Sequence, residues 1–238
     1  KYPYGGNNAA DNSGVMTYVS ICYAGARSTQ DIEHNGLTLN GVGNGTTIEN
    51  IYVLESADDA IEFFGGTVNV KNLLAVNPDD DMFDFTQGYC GTLSNCYGIW
   101  ESDYTSTEAD PRGIEADGNF DGLYPNHLRQ SDFVVDGMTI VNNAANTTDN
   151  VDRMQDVIKI RRGAKATIKN ALVKGTGGAI DLVDMNDGKG AGNAASTISI
   201  TNSLQLTGKK LNGEAVLNEA GSNTGADTSV FGWTKYNF

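Results

Sequence analysis

Apolar and polar residues alternate with a period of two over short stretches of this chain, and no stretch keeps the 3.6-residue period of a helix. The alternating stretches are rich in Ile, Val, Thr and aromatic residues, and Gly, Asn and Asp separate them. This pattern predicts short β-strands joined by tight turns, with few helices.

The alternating pattern also repeats along the chain. Segment 47–63 recurs 22 residues later as segment 69–85, with apolar positions on apolar positions, and weaker copies follow. A period of this length fits one turn of a parallel β-helix, in which successive coils stack about 4.8 Å apart. We therefore predict an all-β fold, a single-stranded right-handed parallel β-helix with about seven coils and long loop inserts.

The whole chain, residues 1–238, is predicted to form a single β-helix domain. Polar segments at about 100–121 and 142–152 interrupt the repeat and are predicted to be loops that leave the coil. The C-terminal segment, about 208–238, is predicted to cap the last coil through its apolar residues around Phe231, because an open end exposes core and unpaired backbone.

Asparagine recurs at one position of the repeat. In stacked coils these side chains would lie at one corner, where their amides can bond from coil to coil. The predicted ladder comprises Asn50, Asn72, Asn95, Asn170 and Asn202.

Charged residues also recur at one position. In the triplet Ile61-Glu62-Phe63 the flanking apolar side chains point inward, so the central residue of each copy faces outward on the same side. The predicted column comprises Thr38, Glu62, Asp84, Glu115, Lys159 and Asp181. A second row, nearer the corner, comprises Asn35, Asp59, Asp81, Arg112 and Asp156.

Stacked acids need a compensating charge. Two carboxylates one coil apart repel by about 1 kcal/mol in water and about 3.5 kcal/mol at an effective dielectric constant of 20. A bound cation, raised pKa values or the nearby basic residues could compensate, and a sulfur-free oxygen cluster favours Ca²⁺. The predicted ligands are Asp59, Glu62, Asp81, Asp84, Glu115 and Asp181. In the alternative interpretation, Asp and Asn only cap turns, and Glu62 and Lys159 are solvated surface residues.

Composition narrows the class of partner. The chain has 30 acidic and 16 basic residues, a formal net charge of −14, which disfavours nucleic acid and anionic membranes as partners. No apolar run approaches the length of a membrane span, so membrane insertion is not expected. Three cysteines are present; Cys90 and Cys96 are close enough in sequence for a local disulfide, which favours an oxidising, extracytoplasmic setting.

A resemblance to a known group rests on five segments that stand in order along the chain: 11–15, 35–39, 43–48, 62–69 and 112–117. Together they resemble secreted or surface-attached bacterial proteins of the pectin-lyase-like superfamily, over nearly the whole chain. The resemblance implies a right-handed parallel β-helix that is secreted or displayed at the cell surface. The superfamily includes polysaccharide lyases, hydrolases, tailspikes and adhesins, so the fold alone does not select an activity.

The resemblance also implies roles for the basic residues. In β-helix lyases, Ca²⁺ or Arg neutralises a uronate carboxylate, and Lys or Arg removes the C5 proton. By this analogy Lys159, Arg161 and Arg112 are candidate catalytic residues. From the sequence itself, Trp100, Tyr104 and Tyr124 border the long insert and are candidates for stacking on sugar rings.

Three functions follow from this reading. The first is a secreted or cell-surface module that binds an extracellular polysaccharide or matrix, assisted by Ca²⁺. The second is a polysaccharide lyase that cleaves a uronate-containing glycan by β-elimination, which the residues favour over a glycoside hydrolase. The third is a structural module of a surface fibre or adhesin that self-associates within a larger surface protein. The sequence leaves open whether the protein is an enzyme.

Overall fold

Fifteen strands make up most of the computed structural model, which describes residues 4–26, 33–144 and 154–238. Two short 3₁₀ turns, Phe120–Gly122 and Thr228–Thr234, are the helical elements of the described residues. In chain order the strands are β1 (Val15–Cys22), β2 (Leu37–Asn40), β3 (Thr47–Leu54), β4 (Ile61–Phe64), β5 (Asn69–Val76), β6 (Phe83–Thr86), β7 (Thr92–Trp100), β8 (Ile114–Asp117), β9 (Asp132–Asn142), β10 (Met154–Arg161), β11 (Lys165–Lys174), β12 (Gly178–Asp184), β13 (Thr197–Asn202), β14 (Gln205–Leu206) and β15 (Val216–Glu219).

The strands form two sheets in which all neighbouring strands are parallel. Odd-numbered strands build an eight-stranded sheet in the order β1-β3-β5-β7-β9-β11-β13-β15, and even-numbered strands build a seven-stranded sheet from β2 to β14. Each coil therefore contributes one strand to each sheet, which confirms the predicted parallel β-helix. The 22-residue repeat is also confirmed, because Thr47 pairs with Asn69 and Glu62 pairs with Asp84.

The core fills the space between the two sheets with columns of identical or similar side chains. Ile61, Phe83 and Ile114 are fully buried at one inward position of successive coils. At another inward position, the rings of Phe63 and Phe85 stack with centroids 5.1 Å apart, and Phe133 stacks on Phe85 at 4.1 Å. Burial of these side chains holds the coils in register, and the outward side chains inherit that register.

The asparagine ladder is confirmed for three coils. Asn72 Nδ2 donates to Asn50 Oδ1 at 2.9 Å, and Asn95 Nδ2 donates to Asn72 Oδ1 at 2.8 Å. All three residues have left-handed backbone, with φ between 53° and 58°. Asparagine is among the few residues that tolerate this conformation, so it makes the corner and bonds the coils together.

The other two predicted members of the asparagine ladder, Asn170 and Asn202, do not form ladder bonds. Asn170 has the same left-handed backbone, but its amide donates to Thr224 Oγ1 and to Gly225 O in the C-terminal segment. The prediction for Asn202 is wrong, because the register shifts between Ile168 and Ala171 and brings Asn202 opposite Val173. An irregularity in pairing that moves one residue to the next position cannot be recognised in an apolar–polar pattern.

The first part of the predicted cap, up to β15, covers the last coil, because Leu211, Ala215 and Leu217 pack against the core, but the residues around Phe231 do not. β15 lies in this segment as a member of the eight-stranded sheet, and the chain then returns across the outside of the earlier coils. Asp227 N donates to Asn95 Oδ1 at 2.6 Å, and Ala226 N donates to Thr139 Oγ1 at 2.9 Å. Phe231 is fully buried in a cluster on the outer face of this sheet, with Leu74, Val76, Tyr97, Ile99 and Val141. The prediction missed this because the outer face, too, carries apolar residues here.

The long connections also differ from the predicted inserts. The predicted insert 100–121 contains the last residue of β7, Trp100, and the whole of β8, Ile114–Asp117. The connection between these two strands is therefore 101–113. A second long connection, 118–131, was not predicted as an insert. Most of the predicted insert 142–152 lies outside the described residues.

The predicted disulfide between Cys90 and Cys96 is absent, and both thiols are free. Cys96 is fully buried in the core, whereas Cys90 is exposed and its Sγ approaches Gly88 O at 3.4 Å. Cys90 precedes β7 and is exposed, whereas Cys96 lies within β7 and packs in the core. The inference of an oxidising compartment loses this support.

Asn72→Ala is expected to lower the free energy of unfolding by about 2–3 kcal/mol, because it removes two ladder bonds and places alanine in left-handed backbone. Asn72→Gly should lower the free energy of unfolding by less, because glycine tolerates the left-handed backbone. The matched control is Asn218→Ala on the exposed edge strand, expected to change stability by less than about 0.5 kcal/mol. Denaturant unfolding measures all three, and equal losses for Asn72→Ala and Asn218→Ala would contradict the ladder.

Candidate functional site

An acidic column runs across the outer face of the seven-stranded sheet, as the repeat predicts. Glu62 pairs with Asp84, Asp84 with Glu115, and Glu115 with Lys159, each on the next coil. Their apolar neighbours point into the core, so all four polar side chains lie on one outer face.

Asp181 does not belong to this column. Lys159 pairs with Asp184, and Asp181 pairs with Asp156 in the corner row. The prediction failed because β12 and the residue after it contain two similar triplets, Ile180-Asp181-Leu182 and Val183-Asp184-Met185, three residues apart. The second triplet continues the column.

Basic residues compensate the carboxylates at one end of the column. Arg112 contacts Glu115 through Nη1 and Asp110 through Nη2 at 2.7 Å. Arg161 contacts the second carboxylate oxygen of Glu115 and, through Nε, Asp117 Oδ1 at 3.2 Å. The two oxygens of Glu115 are therefore each paired with a different guanidinium, one from its own coil and one from the next.

Lys159 is part of the same compensated end. Its Nζ contacts Asp184 Oδ2 and lies 3.5 Å from Asp156 Oδ2, and only 8% of the residue is exposed. Asp156 and Asp184 belong, with Asp181, to one group of buried carboxylates whose oxygens lie within 4.8 Å of one another. The three predicted catalytic residues, Lys159, Arg161 and Arg112, are thus all engaged in ion pairs.

At the other end of the column, no Lys or Arg of the described residues forms an ion pair with Asp59 or Asp84, although Glu62 accepts a hydrogen bond from Asn35 Nδ2 at 2.6 Å and the charge of Arg112 opposes the raised pKa values of Asp80 and Asp81. The oxygens of Asp59, Glu62 and Asp84 lie within 4.8 Å of one another, and so do those of Asp58, Asp59 and Asp80. Asp80 Oδ1 and Asp84 Oδ1 are buried without a hydrogen-bond donor. The same is true of Asp81 Oδ1, whose carboxylate groups with Asp84 and Glu115.

Burial, and after it the charge of neighbouring carboxylates, raises the pKa values of Asp59, Asp80, Asp81 and Asp84 well above the usual value for aspartate. Burial likewise raises the pKa of Glu115, against the opposing effect of Arg112 and Arg161. Binding of a cation near Asp59 and Asp84, whether a proton or a metal ion, would therefore stabilise the folded protein.

These carboxylates line a cleft of about 1230 Å³. Asp58, Asp59, Glu62, Asp80, Asp84, Glu115 and Asp117 all contribute to its wall, and the N-terminal segment around Tyr4 forms one side. Among the described residues, the aromatic rings in the wall belong to Tyr4, Phe64 and Phe120, and the basic side chain belongs to Arg129. Lys159, Arg161 and Arg112 do not line the cleft.

Two of the predicted sugar-stacking residues do not offer a free ring. Trp100 is 2% exposed, packs in the core and donates from Nε1 to Pro78 O at 3.0 Å, so its prediction is wrong. Tyr104 is partly buried against that core, and its hydroxyl donates to Asp79 Oδ1. Tyr124 is 55% exposed and meets Phe120 edge to face, with centroids 5.1 Å apart.

The sequence reasoning missed several residues of the cleft. The doublets Asp58-Asp59 and Asp80-Asp81 repeat 22 residues apart, so their signal was visible, although only the second member of each was selected. Phe120 and Arg129 come from the irregular connection 118–131, whose path no repeat predicts. Its shape depends on local bonds, such as Asn119 Nδ2 to Arg129 O at 2.6 Å.

The parallel coils and the cleft together define a β-helix protein with an acidic cleft on one sheet. The chain matches the family described as pectate-lyase-like beta helix domain over residues 1–235, and it therefore belongs to that family. This confirms the resemblance noted from the sequence. No curated protein and no solved structure matches the chain.

Domains of this family are often extracellular. Within residues 4–26, 33–144 and 154–238, no helix has the length and apolar character that crossing a bilayer requires.

Asp84→Asn is expected to raise the free energy of unfolding at pH 7 in the presence of a chelator. Because the folded-state pKa of Asp84 is raised, its ionisation destabilises the fold as pH increases from about 4 through the folded-state pKa. Removing that charge should also reduce the decline in stability over this pH range.

The matched control is Asp187→Asn. A hydrogen bond from Arg162, first among its causes, lowers the pKa of Asp187 to about 2, so its ionised form stabilises the fold above pH 4. This variant should lower stability at pH 7. Denaturant unfolding from pH 4 to pH 8 measures both, and destabilisation by both variants would contradict the assignment.

Proposed function

We propose that this chain is a secreted or cell-surface β-helix that binds an extracellular polysaccharide in the acidic cleft, with Ca²⁺ held by Asp59, Glu62 and Asp84. The observation that carries the proposal is the buried, donor-free Oδ1 of Asp84 at the centre of these carboxylates. A buried ionised oxygen without a partner costs several kcal/mol, and a cation would remove that cost.

The donor set supports a hard cation. All of these ligands are carboxylates, and the neighbouring group of Asp58, Asp59 and Asp80 shares one of them. Ca²⁺ takes six to eight oxygens in flexible geometry, so sugar hydroxyl or carboxylate oxygens and water could complete its coordination. Glu115 and Asp81 would lie in its outer surroundings, and Asp181 is too far along the sheet to take part.

The cleft wall supports a polysaccharide as ligand. The acidic column advances by one coil, about 4.8 Å, per residue, so an extended chain of sugars lying along it would meet an equivalent carboxylate at each coil. Phe120, 42% exposed at the cleft, offers a ring face for stacking. With its excess of acids, the cleft would bind uronates only when Ca²⁺ bridges the charges.

A lyase activity would need a base in the same cleft. Lys159 is held by two carboxylates outside the cleft, which argues against the role first inferred for it. Arg129 is the basic residue in the part of the wall that the structure describes, and it would take that role if the glycan is cleaved. We therefore propose binding as the function and treat cleavage as an outcome to be measured.

Excess Ca²⁺ is expected to raise the melting temperature of the protein relative to chelator, because a ligand at 100 times its Kd stabilises the folded state by about 2.7 kcal/mol. Asp84→Asn and Asp59→Asn should lose most of this shift. Asp187→Asn, which makes the same change in charge outside the cleft, should keep it. An equal melting temperature for the wild-type protein with Ca²⁺ and with chelator would refute the cation site.

Phe120→Ala is expected to weaken glycan binding about tenfold, or about 1.4 kcal/mol, through loss of stacking. Leu128→Ala is the matched control, because Leu128 is fully exposed in the same connection but does not line the cleft. Affinity electrophoresis in alginate, pectin and neutral glycans, with and without Ca²⁺, measures binding.

The absorbance of unsaturated sugar ends in the same samples tests cleavage. Absorbance that grows in the wild-type protein and disappears in Arg129→Ala would make the protein a lyase. Retention of no glycan in the panel under either condition would contradict the proposed function and leave the structural-module alternative.

A further inference from the structure

We propose that Lys159 and Asp184 join in an intramolecular amide bond that covalently links two adjacent coils of the β-helix. The inference is independent of the acidic cleft and of its ligand.

The two side chains already lie in contact across the coils. β10 and β12 are neighbours in the seven-stranded sheet, and Lys159 pairs directly with Asp184 in their register. Lys159 Nζ contacts Asp184 Oδ2, and each residue is only 8% exposed. Pairing of the strands therefore holds an amine nitrogen against a carboxyl group, with little water between or around them.

The second oxygen of Asp184 is held by two N–H groups. Asp184 Oδ1 accepts from the backbone N–H of Asn186 at 2.9 Å and from its side-chain amide at 3.4 Å. Attack on a carboxyl carbon puts negative charge on the oxygen that stays, so donors placed there stabilise the tetrahedral intermediate. Oδ2, beside the amine, is left as the departing oxygen.

A third side chain, the carboxyl group of Asp156, is placed to transfer protons. Asp156 Oδ2 lies 3.5 Å from Lys159 Nζ, and the carboxylates of Asp156 and Asp184 belong to one buried group. Burial, first among the causes, raises the pKa of Asp156 to about 6, against the opposing charge of Lys159. Asp156 can therefore exchange a proton near neutral pH, which is what a general acid and base requires.

The reaction balances without any co-reactant. One proton passes from the Lys159 ammonium to Asp184 Oδ2, which leaves a neutral amine beside a neutral carboxyl group. The nitrogen attacks Cγ of Asp184, a C–N bond forms, and the C–Oδ2 bond breaks. A second proton from nitrogen reaches the departing oxygen through Asp156, so one water molecule leaves and no charge is created.

The surroundings favour the product over the ion pair. Condensation removes one buried positive and one buried negative charge from a region that is costly for both. When the charge of Lys159 is removed, the carboxylate of Asp156 still has a positive neighbour, because Arg112 Nε lies 3.7 Å from its Oδ2.

The chain contains a natural control for this chemistry. Lys165 and Asp132 also pair across adjacent coils, with Nζ 3.1 Å from Oδ2. That pair is exposed to solvent, with 35% and 53% of the side chains accessible. We expect no bond there.

The test is mass spectrometry of the full chain under denaturing conditions, followed by tryptic mapping. The wild-type protein should be lighter than its sequence by one water molecule. Because a linked Lys159 resists trypsin, peptide 154–161 should appear joined to peptide 175–189. Lys159→Arg, which keeps the charge but should not form the bond, should have its full sequence mass.

Asp156→Asn is expected to retain the fold, as checked by circular dichroism, and to remain mostly unlinked. Lys165→Arg should keep the loss of one water. A wild-type protein that stays at full mass after prolonged incubation between pH 6 and pH 8 would overturn the proposal. A linked peptide that contains Lys165 in place of Lys159 would overturn it as well.

Discussion

The structure depends on the registered stacking of one coil on the next. Parallel pairing fixes the distance between equivalent residues, and the inward columns, such as the stacked rings of Phe63, Phe85 and Phe133, prevent one coil from sliding over another. A residue type that recurs at one position of the repeat is therefore placed next to the same residue type in the neighbouring coils. For asparagine this gives the amide ladder at the corner, and for acids it gives a column of like charges.

The two ends of the acidic column differ in whether basic residues balance the repulsion between its carboxylates. Towards the C-terminus, Arg112, Lys159 and Arg161 are inserted between the acids and form buried ion pairs with them. Towards the N-terminus, Asp59 and Asp84 have no basic partner among residues 4–26, 33–144 and 154–238, and their buried oxygens lie close together in a cleft. The charges near the C-terminus are balanced by ion pairs, whereas Asp80 Oδ1 and Asp84 Oδ1 are buried without a hydrogen-bond donor, so their end of the column is suited to bind a ligand.

The repeat predicted much of this arrangement from the sequence. Glu62, Asp84, Glu115 and Lys159 were placed in one column because every coil between them has an unambiguous apolar–polar–apolar triplet. The prediction failed where the triplet was ambiguous, at Asp181, since two equivalent registers differ there by three residues. The fold was predictable for the same reason as the column, because each coil has to satisfy the same alternation.

Residues outside the repeat could not be placed from the sequence. Phe120 reaches the cleft through an irregular connection, and Phe231 packs on the outside of coils that lie far from it in the chain. Lys159 was identified as a functional residue from its type, but its partners became known only from the register of β10 and β12.

The most direct test of this account is a crystal structure of the protein grown with Ca²⁺, with anomalous diffraction used to locate the ion. The account predicts a peak with carboxylate oxygens of Asp59, Glu62 and Asp84 at about 2.3–2.6 Å, a distance typical of Ca²⁺. A cleft without such a peak, or coordinates that place these three side chains on different faces of the molecule, would contradict it.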